Sequence, residues 1–240
     1  MANTMPRVAV VTGTSSGIGL AIARRLLADG WLVQGLDLAP PQLVDDHFNS
    51  HAVDLTEGSA IDGTLSSLLS SSLAGHAPDA LVHAAGVLRV GSLGALSPAD
   101  GETMWRLHVD AATRLANRLL PAMQAAGRGS MVLVGSRVSV GIAGRSQYAA
   151  SKAALVSLAR SWAAESIAAR VTVNVVSPAA TDTPMLVDPA RTGTTPRLPP
   201  IGRLIRPEEI AALVAFLLSD DAGAITGQDI AVCGGASVRN

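Results

Sequence analysis

RVAVVTGTSSGIG, residues 7–19, is the stretch on which the fold turns. Arg7 to Thr12 is a short β-branched run without alternation, the pattern of a parallel strand buried on both faces. Gly13, Gly17 and Gly19 follow with the spacing GxxxGxG, and Ser15, Ser16 and Ile18 lie among them. Gly13 suits a sharp exit from a strand, Gly17 lets backbone approach a ligand, and Gly19 permits close helix packing. Ile18, Ile22, Leu26 and Leu27 then recur at helical spacing, and Gly30 stands where a C-terminal cap is expected. A strand, a glycine turn and a helix in this order aim free N–H groups and a positive dipole end at a phosphate.

Outward from that unit, apolar runs alternate with helical patterns. Strands are expected at 31–37, 51–54, 80–83, 130–134, 171–176 and 229–232. Helices are expected over 61–72, over 98–126 with a bend at Pro121, over 148–170 and over 207–219. The alternation predicts right-handed βαβ units. The expected architecture is α/β: one doubly wound, Rossmann-type domain over 1–240, with a seven-stranded, mostly parallel sheet and helices on both faces. The stretch 184–206, with Pro184, Pro189, Pro196, Pro199 and Pro200, reads as a loop.

Composition narrows the function classes. With 48% hydrophobic and 15% charged residues among 240, the chain is not intrinsically disordered. A formal net charge of −1 gives no field to recruit nucleic acid or a membrane surface. No apolar run approaches the ~18 residues of a membrane span, and the N-terminal stretch lacks the pattern of a secretory signal. Cys233 is the only cysteine, which excludes an intrachain disulfide and suits the cytoplasm. His47, His51, His76, His83 and His108 form no close-spaced ligand set, so no metal is expected.

Asp37 closes the second strand, 18 residues beyond Gly19. The dinucleotide-binding pattern places there an acid that accepts hydrogen bonds from ribose hydroxyls. A carboxylate at that point repels a 2′-phosphate, and no arginine stands in the turn or beside Asp37, so NAD(H) is expected rather than NADP(H). Asp54 and Leu55 follow the third strand, where a contact with adenine is expected. Tyr148, the one tyrosine, stands four residues before Lys152, so both face one side of a helix, a turn apart. A free phenol titrates near pH ~10, and a neighbouring ammonium stabilises the phenolate and brings it toward the working range. Ser136, 12 residues upstream of Tyr148, offers a hydroxyl to a reacting oxygen.

Taken together these segments resemble the short-chain dehydrogenase/reductase family over nearly the whole chain. TGTSSGIG at 12–19 resembles its TGxxxGxG, Ala84-Ala85-Gly86 its NNAG segment, and Ser136 with YAASK at 148–152 its active site. SPAATDTP at 177–184 is similar to its nicotinamide loop, and TGQDIAVCGG at 226–235 to its last strand. The resemblance implies that NAD lies across the carboxyl ends of the strands, against Ala84, Ala85, Gly86, Pro178, Ala179, Thr181 and Thr183. It implies that Tyr148 is the general acid/base, that Lys152 holds ribose and tunes Tyr148, and that Ser136 orients the reacting oxygen. Residues 184–206 become a lid, with Met185, Leu186, Val187 and Leu198 as apolar contacts. Arg89, Arg145, Arg191, Arg197 and Arg203 are candidates for a substrate carboxylate. The helices over 105–120 and 155–168 are expected to bury apolar faces in a homodimer or homotetramer.

Three positions depart from the family pattern. His83 stands for the first Asn of NNAG, Ala179 for the Gly after Pro178, and His108 for a fourth active-site residue, an Asn whose backbone carbonyl holds a relay water. Two roles are open for His108: a titrating member of the relay, or a histidine that satisfies a buried helix bend. The implied function is NAD(H)-dependent interconversion of a secondary alcohol and a ketone, with a small molecule as the partner. Loop residues 81–97 and 175–185 look closest to 2,3-dihydro-2,3-dihydroxybenzoate dehydrogenases, which makes a dihydrodiol carboxylate the alternative substrate. A non-catalytic NAD-binding sensor or scaffold is the alternative of another class.

Overall fold

Strand β1 (Val8–Thr12) is buried almost throughout, as its unbroken β-branched run requires. The computed structural model describes residues 6–71, 73, 76–188 and 197–238. Around β1 lie β2 (Leu32–Asp37), β3 (Phe48–Ala52), β4 (Ala80–His83), β5 (Gly129–Val134), β6 (Val171–Pro178) and β7 (Asp229–Val232). They form one parallel sheet in the order β3-β2-β1-β4-β5-β6-β7. The order reverses between β1 and β4, which opens a crevice at the carboxyl ends of those two strands.

Successive strand residues point to opposite faces, so each strand feeds two cores. Ala9, Val11, Val33, Val82, Val132 and Val176 pack with α1 (Gly17–Ala28) and α6 (Pro207–Leu217). Val10, Leu36, Leu81, Met131, Leu133 and Val175 pack on the other face with α2 (Gly58–Ser70), α4 (Ala111–Ala126) and α5 (Ser146–Ser166). Gly30, at φ +82°, ends α1 in the left-handed conformation expected of it. No helix among the described residues is long and apolar enough to cross a membrane.

Helix α2 begins at Gly58 rather than at 61, and two further elements differ from the sequence expectation. Strand β3 lies at 48–52 rather than 51–54 and pairs Val33 with Phe48 and Asp37 with Ala52. It is a half-exposed edge of mixed polarity, so hydrophobic periodicity did not mark it. The long helix expected over 98–126 is α3 (Pro98–Trp105) and α4 joined by a π-helical turn at Arg106–Asp110, while Pro121 lies within an uninterrupted α4. The extra residue of such a turn redirects backbone carbonyls, and π-turns gather at functional sites. Of the expected lid, Pro189, Arg191 and Pro196 lie outside the described residues.

Gly63 lies inside α2, exposed, and a Cβ built there meets nothing within 4 Å. Gly63→Ala is expected to stabilise the fold by about 0.5–1 kcal/mol, because glycine carries an entropic penalty in a helix interior. Urea unfolding checks this as a raised midpoint with an unchanged slope.

Candidate active site

The glycine turn leaves β1 and enters α1 at the crevice. Gly13 and Gly17 hold φ of +75° and +52°, a region that side chains rarely adopt. A Cβ on Gly13 would stand 2.9 Å from the Ala85 backbone, and one on Gly17 would stand 3.2 Å from Thr183 Cγ2. A Cβ on Gly19 would strike the Gly13 carbonyl. The turn thus lies pressed between the Ala84–Gly86 turn and the 178–183 loop, with room for backbone only. No side chain of Ser16 caps α1, and its first turn carries no acid, so its leading N–H groups remain for an anion.

Asp37 closes β2 beside that turn. Its carboxylate accepts from the Ser15 and Ala39 backbone N–H groups, each at 2.9 Å, and Ser15 Oγ donates to the Ala39 carbonyl at 2.9 Å. Two acceptor positions of a carboxylate remain beyond those bonds. The Val53 N–H donates to the Asp37 carbonyl at 2.9 Å, which brings Asp54 and Leu55 to the same sheet end. Asp54 accepts from the Thr56 N–H at 2.8 Å, and Leu55 is buried. On the other side of the crevice the Ala179 N–H donates to Val232 O at 3.1 Å, and Thr181 Oγ1 donates to Ala179 O at 3.0 Å. Among the described residues Arg170 is the one non-glycine with positive φ, so Ala179 carries its Cβ in an ordinary conformation.

Tyr148 lies in the first turn of α5, packed among Leu88, Met104 and Val138, with Val87, Val90 and Met185 beside them. Lys152, one turn on, brings Nζ to 5.9 Å from the phenol ring centre and donates to the Val134 carbonyl at 2.9 Å. Its side chain is buried, and that burial pushes its pKa down to about 7. Ser136 lies at the end of β5, its Oγ accepting from the Val138 N–H at 3.3 Å. The His108 ring meets the Tyr148 ring edge-on, 5.6 Å between centres. A Cβ on Gly86 would stand 3.0 Å from His108 Nε2 and 3.5 Å from Lys152 Nζ, so these two nitrogens converge on one point.

The structure therefore brings Tyr148, Lys152, Ser136 and His108 to the mouth of the nucleotide-type crevice. The candidate arginines fare differently. Arg89 pairs with Asp188 at 3.4 Å and Asp100 at 3.9 Å, and Arg203 pairs with Glu209 at 2.7 Å. Arg197 is exposed, and Arg191 lies outside the described residues. Sequence reasoning missed three groups. Thr12 Oγ1 accepts from the Ala84 and Ala85 N–H groups, both at 3.0 Å. Ser151 Oγ donates to the Tyr148 carbonyl at 2.8 Å. Arg137, directly after Ser136, has a buried Nε without a hydrogen-bond partner and reaches the Ala236 carbonyl only at 3.4 Å. Thr12 and Ser151 lie inside the quoted motifs, but only the fold shows what they touch.

A family model described as enoyl-(acyl carrier protein) reductase matches residues 13–237. The FabG 3-oxoacyl-[acyl-carrier-protein] reductase of Salmonella typhimurium is 34% identical over 236 residues, covering 95% of this chain and 96% of its own. The 2,3-dihydro-2,3-dihydroxybenzoate dehydrogenase of Escherichia coli is 36% identical over 241 residues, covering 95% and 96%. Among solved structures, the ligand-free aldohexose dehydrogenase of Thermoplasma acidophilum matches with a TM-score of 0.88 and 26% identity, over 98% of this chain and 95% of that one.

His83 and His108 are both fully buried. Burial, and then the Lys152 charge, push His83 down to about 3 and His108 well below its ordinary value. In the unfolded chain both titrate normally, so between about pH 6.5 and 3 unfolding takes up a proton that folded His83 refuses. Stability is thus fully present above pH 6.5 and falls as the pH drops toward 3, by about 1.4 kcal/mol per pH unit for each such group. Urea unfolding at a series of pH values checks this, and His83→Leu is expected to flatten the slope.

Proposed function

Because the chain belongs to the short-chain dehydrogenase/reductase family, we infer that it interconverts a secondary alcohol and a ketone with NAD(H), using Tyr148 as general acid/base. The observation that carries the reading is the buried Lys152 amine, one helical turn from the only tyrosine, at the mouth of the glycine-turn crevice. A non-catalytic binder has no need of Ser136, Tyr148 and Lys152 together.

The crevice fits a dinucleotide, since its glycines let backbone alone form the turn against the neighbouring loops and the α1 N-terminus is uncapped. Gly13, Ser15, Ser16, Gly17, Ile18 and Gly19 would hold the phosphates, and Asp37 the adenosine ribose. Asp54 and Leu55 would border the adenine. Ala84, Ala85, Gly86, Pro178, Ala179, Thr181 and Thr183 would line the nicotinamide end, with Lys152 at its ribose. NAD, when bound, supplies the two-electron acceptor for a hydride.

The protein's own part is positioning and proton transfer. Ser136 Oγ holds the reacting oxygen, and the Tyr148 phenolate takes the alcohol proton as the carbonyl forms. A phenolate beside an ammonium makes a neutral pair, which a dry pocket holds more readily than a lone ammonium. Leu88, Met104, Val138 and Met185 keep water from this exchange. In the reductive direction Tyr148 returns the proton.

A dihydrodiol carboxylate is the second reading. It is favoured by the identity with the dihydrodihydroxybenzoate dehydrogenase and by Arg137, whose uncommitted guanidinium nitrogen lies next to Ser136 in sequence and suits a carboxylate. Trp105 and Ile167 are exposed, and Val156, Leu158 and Trp162 on α5 are half-buried. These suit a homodimer or homotetramer.

Tyr148→Phe is expected to abolish turnover of an alcohol and ketone panel, followed by NADH absorbance, while NAD still binds. Retained turnover would remove the assignment. With wild-type protein, kcat/KM is expected to favour NAD over NADP by at least about tenfold, a difference of ~1.4 kcal/mol, and Asp37→Ser is expected to narrow the gap. A preference for NADP overturns the reading of Asp37.

A further inference from the structure

The two buried histidines have all four ring nitrogens engaged. Thr12 Oγ1 already accepts two backbone N–H bonds, so it must donate its own hydrogen to His83 Nδ1 at 3.0 Å. His83 therefore carries its proton on Nε2, which donates to the Leu107 carbonyl in the π-helical turn at 3.1 Å. His108, the next residue, is fixed the other way round. Its Nε2 accepts from the Val87 backbone N–H at 3.1 Å, so that nitrogen is bare. Its Nδ1 carries the proton and lies 2.9 Å from Ser151 Oγ, whose own hydrogen goes to the Tyr148 carbonyl.

These bonds make a continuous path. It runs from Thr12, at the root of the glycine turn, through His83 to the π-turn, and from His108 through Ser151 to the backbone of Tyr148. We propose that His83 and His108 are a pair of neutral positioning residues, locked in opposite tautomers, that hold the Tyr148–Lys152 pair in register with the nucleotide turn. A proton added to His108 Nε2 would face the Val87 N–H, and one added to His83 Nδ1 would face a hydroxyl with no free acceptor position. Among the described residues, the charged and titratable groups packed around them are Lys152 and Tyr148 from α5 and each other. No carboxylate is among these, so Lys152 is the one cation the pocket accommodates, and burial of both rings together with its charge keeps them neutral. His108 thus steadies the acid–base pair without itself exchanging protons. The consequence for turnover rests on the function inferred above, but the tautomers do not.

Nitrogen NMR of the imidazoles in the full chain tests the lock directly. His83 is expected as the Nε2–H form and His108 as the Nδ1–H form, both persisting down to about pH 5, where an ordinary histidine is cationic. Averaged tautomers, or a cationic ring at that pH, overturn the proposal. Turnover supplies the second arm. His108→Phe keeps a ring against Tyr148 and loses both hydrogen bonds, so kcat is expected to fall at least about tenfold with the nucleotide KM within about twofold. An amide offers one acceptor and one donor but does not titrate, so the better of His108→Asn and His108→Gln is expected to recover kcat to within about threefold. Folded His108→Phe with wild-type kcat overturns the positioning role. Amides as impaired as His108→Phe overturn it too, because then a titrating ring is required. Retained activity in Tyr148→Phe, by contrast, removes the function and leaves the NMR result standing.

Discussion

Lys152 carries an amine into a nearly closed site, with the Val134 carbonyl as its hydrogen-bond acceptor and no carboxylate among the described ion pairs to meet it. Burial alone brings its pKa to about 7, so near neutrality the charge is held with little to spare. An acid next to Lys152 would settle the charge; in the function inferred above that partner is the Tyr148 phenolate instead. The apolar packing around Tyr148 has the same logic. It holds the phenol and the amine largely out of water, which would otherwise screen their interaction.

The sheet is what makes such an arrangement possible. Because every strand runs parallel, the glycine turn after β1, the Ala84–Gly86 turn after β4, Ser136 after β5 and the loop after β6 all emerge at the same edge. Helix α5 then packs along β6, with Leu155, Ala159 and Ala163 buried in the same core as Met131, Leu133, Val173 and Val175. That contact sets where the first turn of α5 lies, and so where Tyr148 and Lys152 stand relative to the crevice. Side chains of the core therefore decide where this phenol and amine stand.

The readable parts of this chain are those whose chemistry is local. Glycines at 13, 17 and 19, an acid after the second strand, and Tyr148 four residues before Lys152 each state their geometry in the spacing, and the alternation of strand and helix gives the layers. What could not be read depends on partners remote in sequence. Arg89 looks like a free cation until Asp188 is brought to it across 99 positions. His51 shares a strand with polar neighbours and carries no periodic signal, so β3 was displaced by three residues. The π-turn at Arg106–Asp110 adds one residue to an otherwise regular pattern, and no residue type there announces it. The ring nitrogens of His108 are likewise determined by Val87 and Ser151, one upstream on a loop and one downstream on a helix.

The three departures from the family pattern obey one rule. Each position is needed for what it does to backbone, and each replacement keeps that capacity. Ala179 stands in ordinary φ/ψ and contributes its N–H to Val232, so a methyl group there costs nothing. At 83 and 108 the observed bonds call for one donor and one acceptor, which an amide or an imidazole can supply. The imidazole differs in that it can also take up a proton, and that capacity would place a second cation beside Lys152. The surroundings remove it: Thr12 and Val87 each aim a hydrogen at the nitrogen that would otherwise accept one. A histidine in an active site is usually read as a proton carrier, but where both nitrogens are spoken for and a buried amine lies close by, it is better read as a rigid crosspiece.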